Sequence, residues 1–231
     1  MVIRIGLAML QGARHEHVEA LYNAALELEV KIEVIPLRSG NNISDSKLDG
    51  IVLPGGESTT MRKASESHGL LSSIFDYIDE NPLMPILGTC AGAILLLDPG
   101  SGRSSYIDAE VDRNAYGRQR DSFQSLLKIK NLSIPSAISE GIAKEQILEG
   151  DHLPLSVNQD SKKMGDDEFQ GIFIRAPKFT NVNSDVEKVV FNQEEVVGLF
   201  QKNKLALSFH PELTTDYRFH RWLISKAFEK N

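Results

Sequence analysis

The sequence predicts an α/β fold, a three-layer sandwich with a mostly parallel central sheet. Two observations predict it. Short apolar runs alternate with amphipathic helical stretches through the first half of the chain, and repeated βα units build a parallel sheet with helices on both faces. Three of those apolar runs also end abruptly on glycine-bearing loops: Gln11-Gly12, Pro54-Gly55-Gly56 and Gly88 to Gly92. In parallel sheets, chemistry collects in the loops at the carboxyl ends of the strands.

The elements follow in chain order. Met1 to Ala8 is apolar without alternation, as a central buried strand is. His15 to Glu29 carries Val18, Leu21, Tyr22, Ala25 and Leu28 at three-and-four spacing, an amphipathic helix. Lys31 to Pro36 alternates as a strand, and Asn41 to Ser46 reads as a polar turn. Asp49 to Leu53 is a second buried run. Ser58 to Ile78 reads as helix interrupted at Gly69. Pro85 to Leu87 is a third short strand, and the helix begun at Ala91 is stopped by Asp98-Pro99-Gly100. The second half changes character. Asp108 to Asp112, Phe123 to Ile129, Gly171 to Arg175, Val186 to Phe191, Val196 to Gln201 and Leu205 to Phe209 are strand-like runs between polar turns. Thr215 to Phe228 is a closing helix with Phe219, Trp222, Leu223 and Ala227 on its apolar face. Neither a repeat nor an inter-domain linker interrupts the pattern, so one domain over 1–231 is expected. It carries an irregular insertion at about 131–170, either helical over Ser136 to Leu148 or a mobile flap, because a structureless loop that long is uncommon in a compact domain.

Composition excludes several classes of function. The 231 residues include 25 basic and 32 acidic side chains, a formal net charge of −7. Broad binding to nucleic acid or to an anionic membrane needs a basic face, so neither is expected. At 41% hydrophobic and 25% charged the chain is ordinary globular material. The N-terminal apolar run is too short for a span, which needs roughly 20 apolar residues, and has no small-residue cleavage site. A cytoplasmic location is expected. One cysteine makes neither an internal disulfide nor a Cys-based zinc site, and no metal or cofactor is expected.

That cysteine is the centre of the chemistry. Gly88, Ala91 and Gly92 crowd Cys90 between a buried strand and a helix, and a nucleophile on a sharp strand-to-helix turn needs such small neighbours. The helix start would also offer backbone N–H groups to an oxyanion. The local pattern fits a buried structural cysteine equally well, since free cysteine is among the most buried residue types. A thiol nucleophile needs a base, and the base an orienting partner. Of the six histidines, His15, His17 and His68 read as members of solvated helix faces, His152 falls in the irregular stretch and His220 on the closing helix. His210 follows a strand and precedes Pro211-Glu212. Residues two apart on an extended segment point to one side. An isolated His-Pro-Glu is more often a solvated turn. Together with Cys90 it favours a Cys-His-Glu triad.

The segments GTCAG (88–92) and SFHPE (208–212) resemble the class I, triad-type glutamine amidotransferases. LQGARHEH (10–17), LPGGESTTMR (53–62), VDRNAYGRQRDSF (111–123), FIRAPKF (173–179) and SFHPELTTDYRFH (208–220) are similar to the glutaminase subunits of pyridoxal 5′-phosphate synthase. The resemblance implies a flavodoxin-like three-layer sandwich in which Cys90 attacks the carboxamide of L-glutamine, His210 relays protons and Glu212 holds its tautomer. It implies glutamine contacts at Gly56, Glu57, Ser58, Arg113, Ile174 and Arg175, and an oxyanion loop at Gln11 and Gly12, formed once a partner subunit docks, with Ala91 beside it. An α-carboxylate suits an arginine fork, although Arg113 and Arg175 taken alone read as ordinary surface residues. The resemblance further implies a partner, a (β/α)₈-barrel synthase subunit in a large hetero-oligomer, which uses the ammonia to make the vitamin B6 cofactor. The isolated chain should then be a poor glutaminase. Two stretches depart from the family pattern, the insertion and the Gly/Ser-rich Asp98 to Tyr106. A glutaminase for another acceptor, such as imidazole glycerol phosphate synthesis, and a non-catalytic module on the same fold are the competing readings.

Overall fold

The computed structural model describes residues 1–44, 46–100, 102–113, 122–139 and 164–230. Its first half alternates as expected: β1 (Ile3–Ala8), α1 (Arg14–Glu27), β2 (Ile32–Leu37), α2 (Gly40–Ser44), β3 (Gly50–Leu53), α3 (Ser58–Glu66), α4 (Leu70–Glu80), β4 (Ile86–Thr89) and α5 (Ala91–Leu97). The second half supplies β5 (Glu110–Asp112), β6 (Ser122–Ile129), β7 (Glu168–Ile174), β8 (Lys178–Thr180), β9 (Glu187–Asn192), β10 (Glu195–Gln201), β11 (Lys204–Leu207), a 3₁₀ turn (Pro211–Leu213) and α6 (Arg218–Glu229).

The nine-stranded sheet runs β2-β1-β3-β4-β11-β10-β9-β6-β7. The first five of these are mutually parallel. The last four continue the sheet by antiparallel pairing. β1, β3, β4 and β11 sit in its interior, which is why their sequences are apolar without alternation. β2 lies at the edge, where Pro36 withholds no ladder donor that the sheet needs. One apolar layer packs α2 to α5 on one face through Met61, Leu70, Ile74, Phe75, Ala91 and Leu95. The other packs α1 and α6 through Leu21, Ala24, Trp222, Leu223 and Ile224.

Several boundaries differ from the expectation. Asn41 to Ser46 is not simply a turn, because the chain forms the one-turn helix α2 there, its entry held by Asn42 Oδ1 accepting from the Arg38 and Ser39 amides at 2.9 and 3.0 Å. Ser58 to Ile78 divides into two helices at Gly69, whose φ of +62° is left-handed. The short strand β8, which pairs with β5 in a separate two-stranded sheet, has too few residues to show a period in the sequence. The insertion ends earlier than 170, since β7 begins at Glu168. Residues 131–139 are irregular and cross α1, with the Ile138 amide donating to the Glu27 carbonyl at 2.7 Å. Ser136 to Ser139 is therefore not helical, and the remainder of the expected insertion, 140–163, lies outside the described residues. No helix among the described residues is long and apolar enough to cross a membrane.

Candidate active site

Four neighbouring parallel strands, β1, β3, β4 and β11, bring four loops to one edge of the sheet. β4 and β11 are in register with Thr89 opposite Leu207, so the residues just beyond them, Cys90 and His210, emerge side by side. The Cys90 amide donates to the Leu207 carbonyl at 2.8 Å, and the His210 amide to the Ile172 carbonyl at 2.8 Å. Both backbones are thereby tied to the sheet before their side chains diverge from it.

Cys90 has φ +48° and ψ −107°, a conformation that costs a non-glycine residue on the order of 1–3 kcal/mol. The surroundings enforce it. A Cβ on Gly92 would lie 1.8 Å from the Leu53 carbonyl oxygen, and one on Gly88 would lie 2.8 Å from the Gly92 carbonyl oxygen. Only small residues let α5 approach β3 and β4 this closely, as the sequence pattern anticipates. The Cys90 sulfur lies 3.8 Å from the Ile174 carbonyl oxygen, and the His210 ring stands beside Cys90, both of them close to the Gly55 α-carbon. His210 Nδ1 meets Glu212 Oε1 at 2.7 Å. Cys90, His210 and Glu212 are all buried.

Electrostatics bind the three together. Burial works against an imidazolium at His210, but the Glu212 carboxylate and the neighbouring Cys90 outweigh it and push its pKa up to about 10. Burial likewise works against ionisation of Glu212, yet His17 and His210 beside it hold its carboxyl down at about 2. His17 is itself kept neutral, because burial lowers its pKa. Its help to Glu212 is therefore that of an N–H dipole, and the full charge comes from His210.

The other expected residues fall into two groups. Gln11 and Gly12 of the β1 loop lie against Gly55, Gly56 and Glu57 of the β3 loop, Ser58 opens α3, and Ala91 follows Cys90 at the start of α5. Gln11 Oε1 accepts from the Glu57 amide at 3.0 Å, and a Cβ on Gly12 (φ +85°) would lie 1.9 Å from the Gly55 carbonyl oxygen, so the β1 and β3 loops are packed against each other. Glu57 caps α3, its carboxylate accepting from the Thr59 and Thr60 amides at 3.0 and 2.7 Å and from the Thr60 hydroxyl at 2.6 Å. Those bonds, the Thr60 hydroxyl's above all, lower its pKa to about 2. Ile174 faces Cys90 through its carbonyl, whereas Arg175, at φ +44°, turns its side chain outward. Arg113 donates through Nη2 to Asp98 at 2.6 Å, and the motif that follows it, 114–121, lies outside the described residues.

A family model described as the SNO glutamine amidotransferase family matches residues 7–161 and 154–229. The chain belongs to this family. It is 35% identical to the pyridoxal 5′-phosphate synthase subunit PdxT of Thermococcus onnurineus, across 98% of this chain and 100% of that one. It is 36% identical to the PdxT subunit of Oenococcus oeni, across 97% and 96%. A crystal structure of a glutamine amidotransferase superposes with a TM-score of 0.69 at 30% identity, across 97% of this chain and 98% of the other. A glutamine amidotransferase from Thermotoga maritima, TM-score 0.53 at 14% identity across 98% of this chain and 83% of the other, shares the fold.

As a glutamine amidotransferase, the chain carries features around its thiol that the sequence did not expose. His17 is fully buried rather than part of a solvated helix face. Its Nδ1 lies 2.9 Å from His220 Nε2, and its Nε2 lies 3.2 Å from Thr89 Oγ1 and 3.5 Å from Glu212 Oε2. His15 on the same helix is exposed, as expected; His68 is exposed too, but in the turn after α3 rather than within a helix. His152 lies outside the described residues. The only hint of His17's burial was its position one turn before Leu21, which belongs to the core. Gly55 is a second omission: a Cβ there would lie 2.4 Å from His210 Cε1 and 3.4 Å from Cys90 Cβ. Its missing side chain is the space in which the imidazole meets the thiol.

Proposed function

We propose that this chain hydrolyses L-glutamine through Cys90, His210 and Glu212 and passes the ammonia to a (β/α)₈-barrel synthase subunit that makes pyridoxal 5′-phosphate. The observation that carries the reading is the Cys90–His210–Glu212 constellation, a thiol on a strained strand-to-helix turn beside a histidine whose Nδ1 meets a buried carboxylate at 2.7 Å. The names of the relatives, pyridoxal 5′-phosphate synthase subunits matched over 100% and 96% of their lengths, support the choice of acceptor.

The chemistry follows from those groups. The Cys90 sulfur attacks the carboxamide carbon, and the carbonyl oxygen takes the negative charge. His210 gives a proton to the amide nitrogen, the C–N bond breaks, and ammonia leaves a glutamyl thioester. Water then attacks the thioester carbon while His210 takes its proton, and glutamate departs as the thiol is restored. Glu212 keeps the imidazole in one orientation and offsets the charge it acquires. The backbone N–H groups of Gly12 and Ala91 serve the oxyanion. The Gly56-Glu57-Ser58 backbone and the Ile174-Arg175 turn line the glutamine, with the Ile174 carbonyl an acceptor for its ammonium. Glu57 acts through its backbone, its carboxylate being held by α3. Arg113 meets the α-carboxylate, for which a guanidinium bonded to Asp98 retains further donors.

The test is glutamine hydrolysis by wild type and Cys90→Ala, with and without a pyridoxal 5′-phosphate synthase barrel. Stimulation by the barrel and a loss of at least about 10³-fold in the variant are expected. Equal activity in the variant refutes the triad. Stimulation by a different synthase and not by this barrel moves the ammonia to another acceptor.

A further inference from the structure

Glu212 has two carboxylate oxygens, and His210 uses one of them. Oε2 is buried and receives no hydrogen bond of ordinary length, yet it is not isolated. His17 Nε2 lies 3.5 Å from it, with both side chains entirely out of solvent. The same nitrogen is 3.2 Å from the hydroxyl of Thr89, the residue before Cys90. His17 comes from α1, on the opposite side of Glu212 from His210.

The tautomers can be assigned from this network. A bare nitrogen lone pair facing a buried carboxylate repels it, so His17 Nε2 carries the proton. His17 Nδ1 is then an acceptor, and His220 Nε2, 2.9 Å away, must be the donor. That leaves His220 Nδ1 without a proton, and this is the ring atom that has no partner. An unpaired lone pair there is less costly than an unpaired N–H would be, so the three assignments agree. A directed chain of donors results, from His220 to His17 towards Glu212, whose other oxygen accepts from His210 Nδ1.

We propose that His17 is a positioning residue of the glutaminase triad: its Nε2–H, fixed in tautomer by His220, holds the second oxygen of Glu212 so that the carboxylate orients His210 towards Cys90. The assignment rests on the glutaminase reading above. His17 touches neither thiol nor imidazole and acts only through the carboxylate. Without it, Oε2 would be a buried anionic oxygen with no donor beside it, and the carboxylate would be free to turn Oε1 away from His210.

The experiment compares wild type, His17→Leu, His17→Gln and His17→Asn, each in complex with the synthase barrel, reading kcat and KM for glutamine separately. The glutamine side-chain amide reaches the position of the histidine Nε2, whereas that of asparagine reaches only the position of Nδ1. His17→Leu and His17→Asn are expected to lose about 10- to 100-fold in kcat with KM within about twofold of wild type. His17→Gln is expected to recover kcat to within about fivefold. Retention of kcat in His17→Leu overturns the proposal, as does equal impairment of His17→Gln and His17→Asn, which would make the residue one of packing alone. Should His17→Leu fail to fold, the two amide variants carry the same discrimination. A wild-type protein that hydrolyses no glutamine defeats the glutaminase reading instead. The proposal is then read from alkylation of the sole thiol, Cys90, at neutral pH, which should slow at least threefold in His17→Asn and be restored in His17→Gln; rates equal to wild type in both overturn it.

Discussion

Gly55 shows how narrowly the reacting groups are spaced. Its α-carbon faces the point where the His210 ring approaches Cys90, and Glu212 holds the ring in place through Nδ1 at 2.7 Å. Gly55→Ala should therefore displace the imidazole rather than be absorbed by a flexible side chain. The expected result is a stability loss of about 1–3 kcal/mol by thermal unfolding and a fall in kcat of about 100-fold or more, since misplacement by 1 Å is enough for that. Activity within a few-fold of wild type would mean that the ring has room to move. Cys90 and the His210–Glu212 pair stood out in the sequence because each lies in a short local pattern, and only the two patterns together favoured a triad. His17 did not stand out, because its partners are 72, 195 and 203 residues away, and a histidine at a helix start looks the same whether it faces water or a carboxylate.

At the level of the elements, two glycines with similar standing in the sequence have different work. Gly69 separates α3 from α4 with φ +62°, and a Cβ there would meet nothing within 4 Å. Gly92 lies within α5, where a Cβ would be 1.8 Å from the Leu53 carbonyl oxygen. Gly69→Ala should cost about 1–2 kcal/mol, the left-handed backbone alone. Gly92→Ala should cost about 3 kcal/mol, at the upper end of overpacking, and should also lower activity because α5 carries Cys90 at its start. Urea unfolding of the two variants checks the order; a larger loss for Gly69→Ala would contradict it. The interior strands were readable as apolar runs without alternation, and the long amphipathic helices from their periodicity. The short α2 and β8 were not, since elements of five and three residues hold less than two periods of any pattern.

For the whole molecule, the buried histidines set the response to acid. Burial, reinforced by His17, lowers His220 to about 3 from an ordinary 6.5, and burial lowers His17 in the same direction. A group whose folded pKa is depressed contributes stability that is complete above its unfolded value and is lost as pH falls towards the folded one. Stability should thus decline from pH 6.5 towards pH 3, with each such histidine adding a slope of up to about 1.4 kcal/mol per pH unit. Glu212, depressed to about 2, adds to the loss below about pH 4.5. His210 acts oppositely: raised to about 10, it favours the folded state below pH 6.5, and this contribution fades as pH rises from 6.5 through 10. His220→Gln removes one proton taken up on unfolding, so its Tm should fall less steeply than that of wild type between pH 6.5 and 4. Parallel curves for the two proteins would show that His220 is not held neutral in the fold.

The sequence by itself determined the alternation of strands and helices, the sharp turn at Cys90 and the pairing of His210 with Glu212, because all three are written in residues close together in the chain. Period, small-residue crowding and an X-Pro-X spacing are local quantities. Only the tertiary structure decided that Gly55 opens the space between thiol and imidazole, and that α1 and α6 deliver His17 and His220 to the far side of Glu212. These depend on the order of strands in the sheet and on which helices share a face. Such placements arise from the closing of long loops and the burial of whole layers, which no single stretch of sequence records.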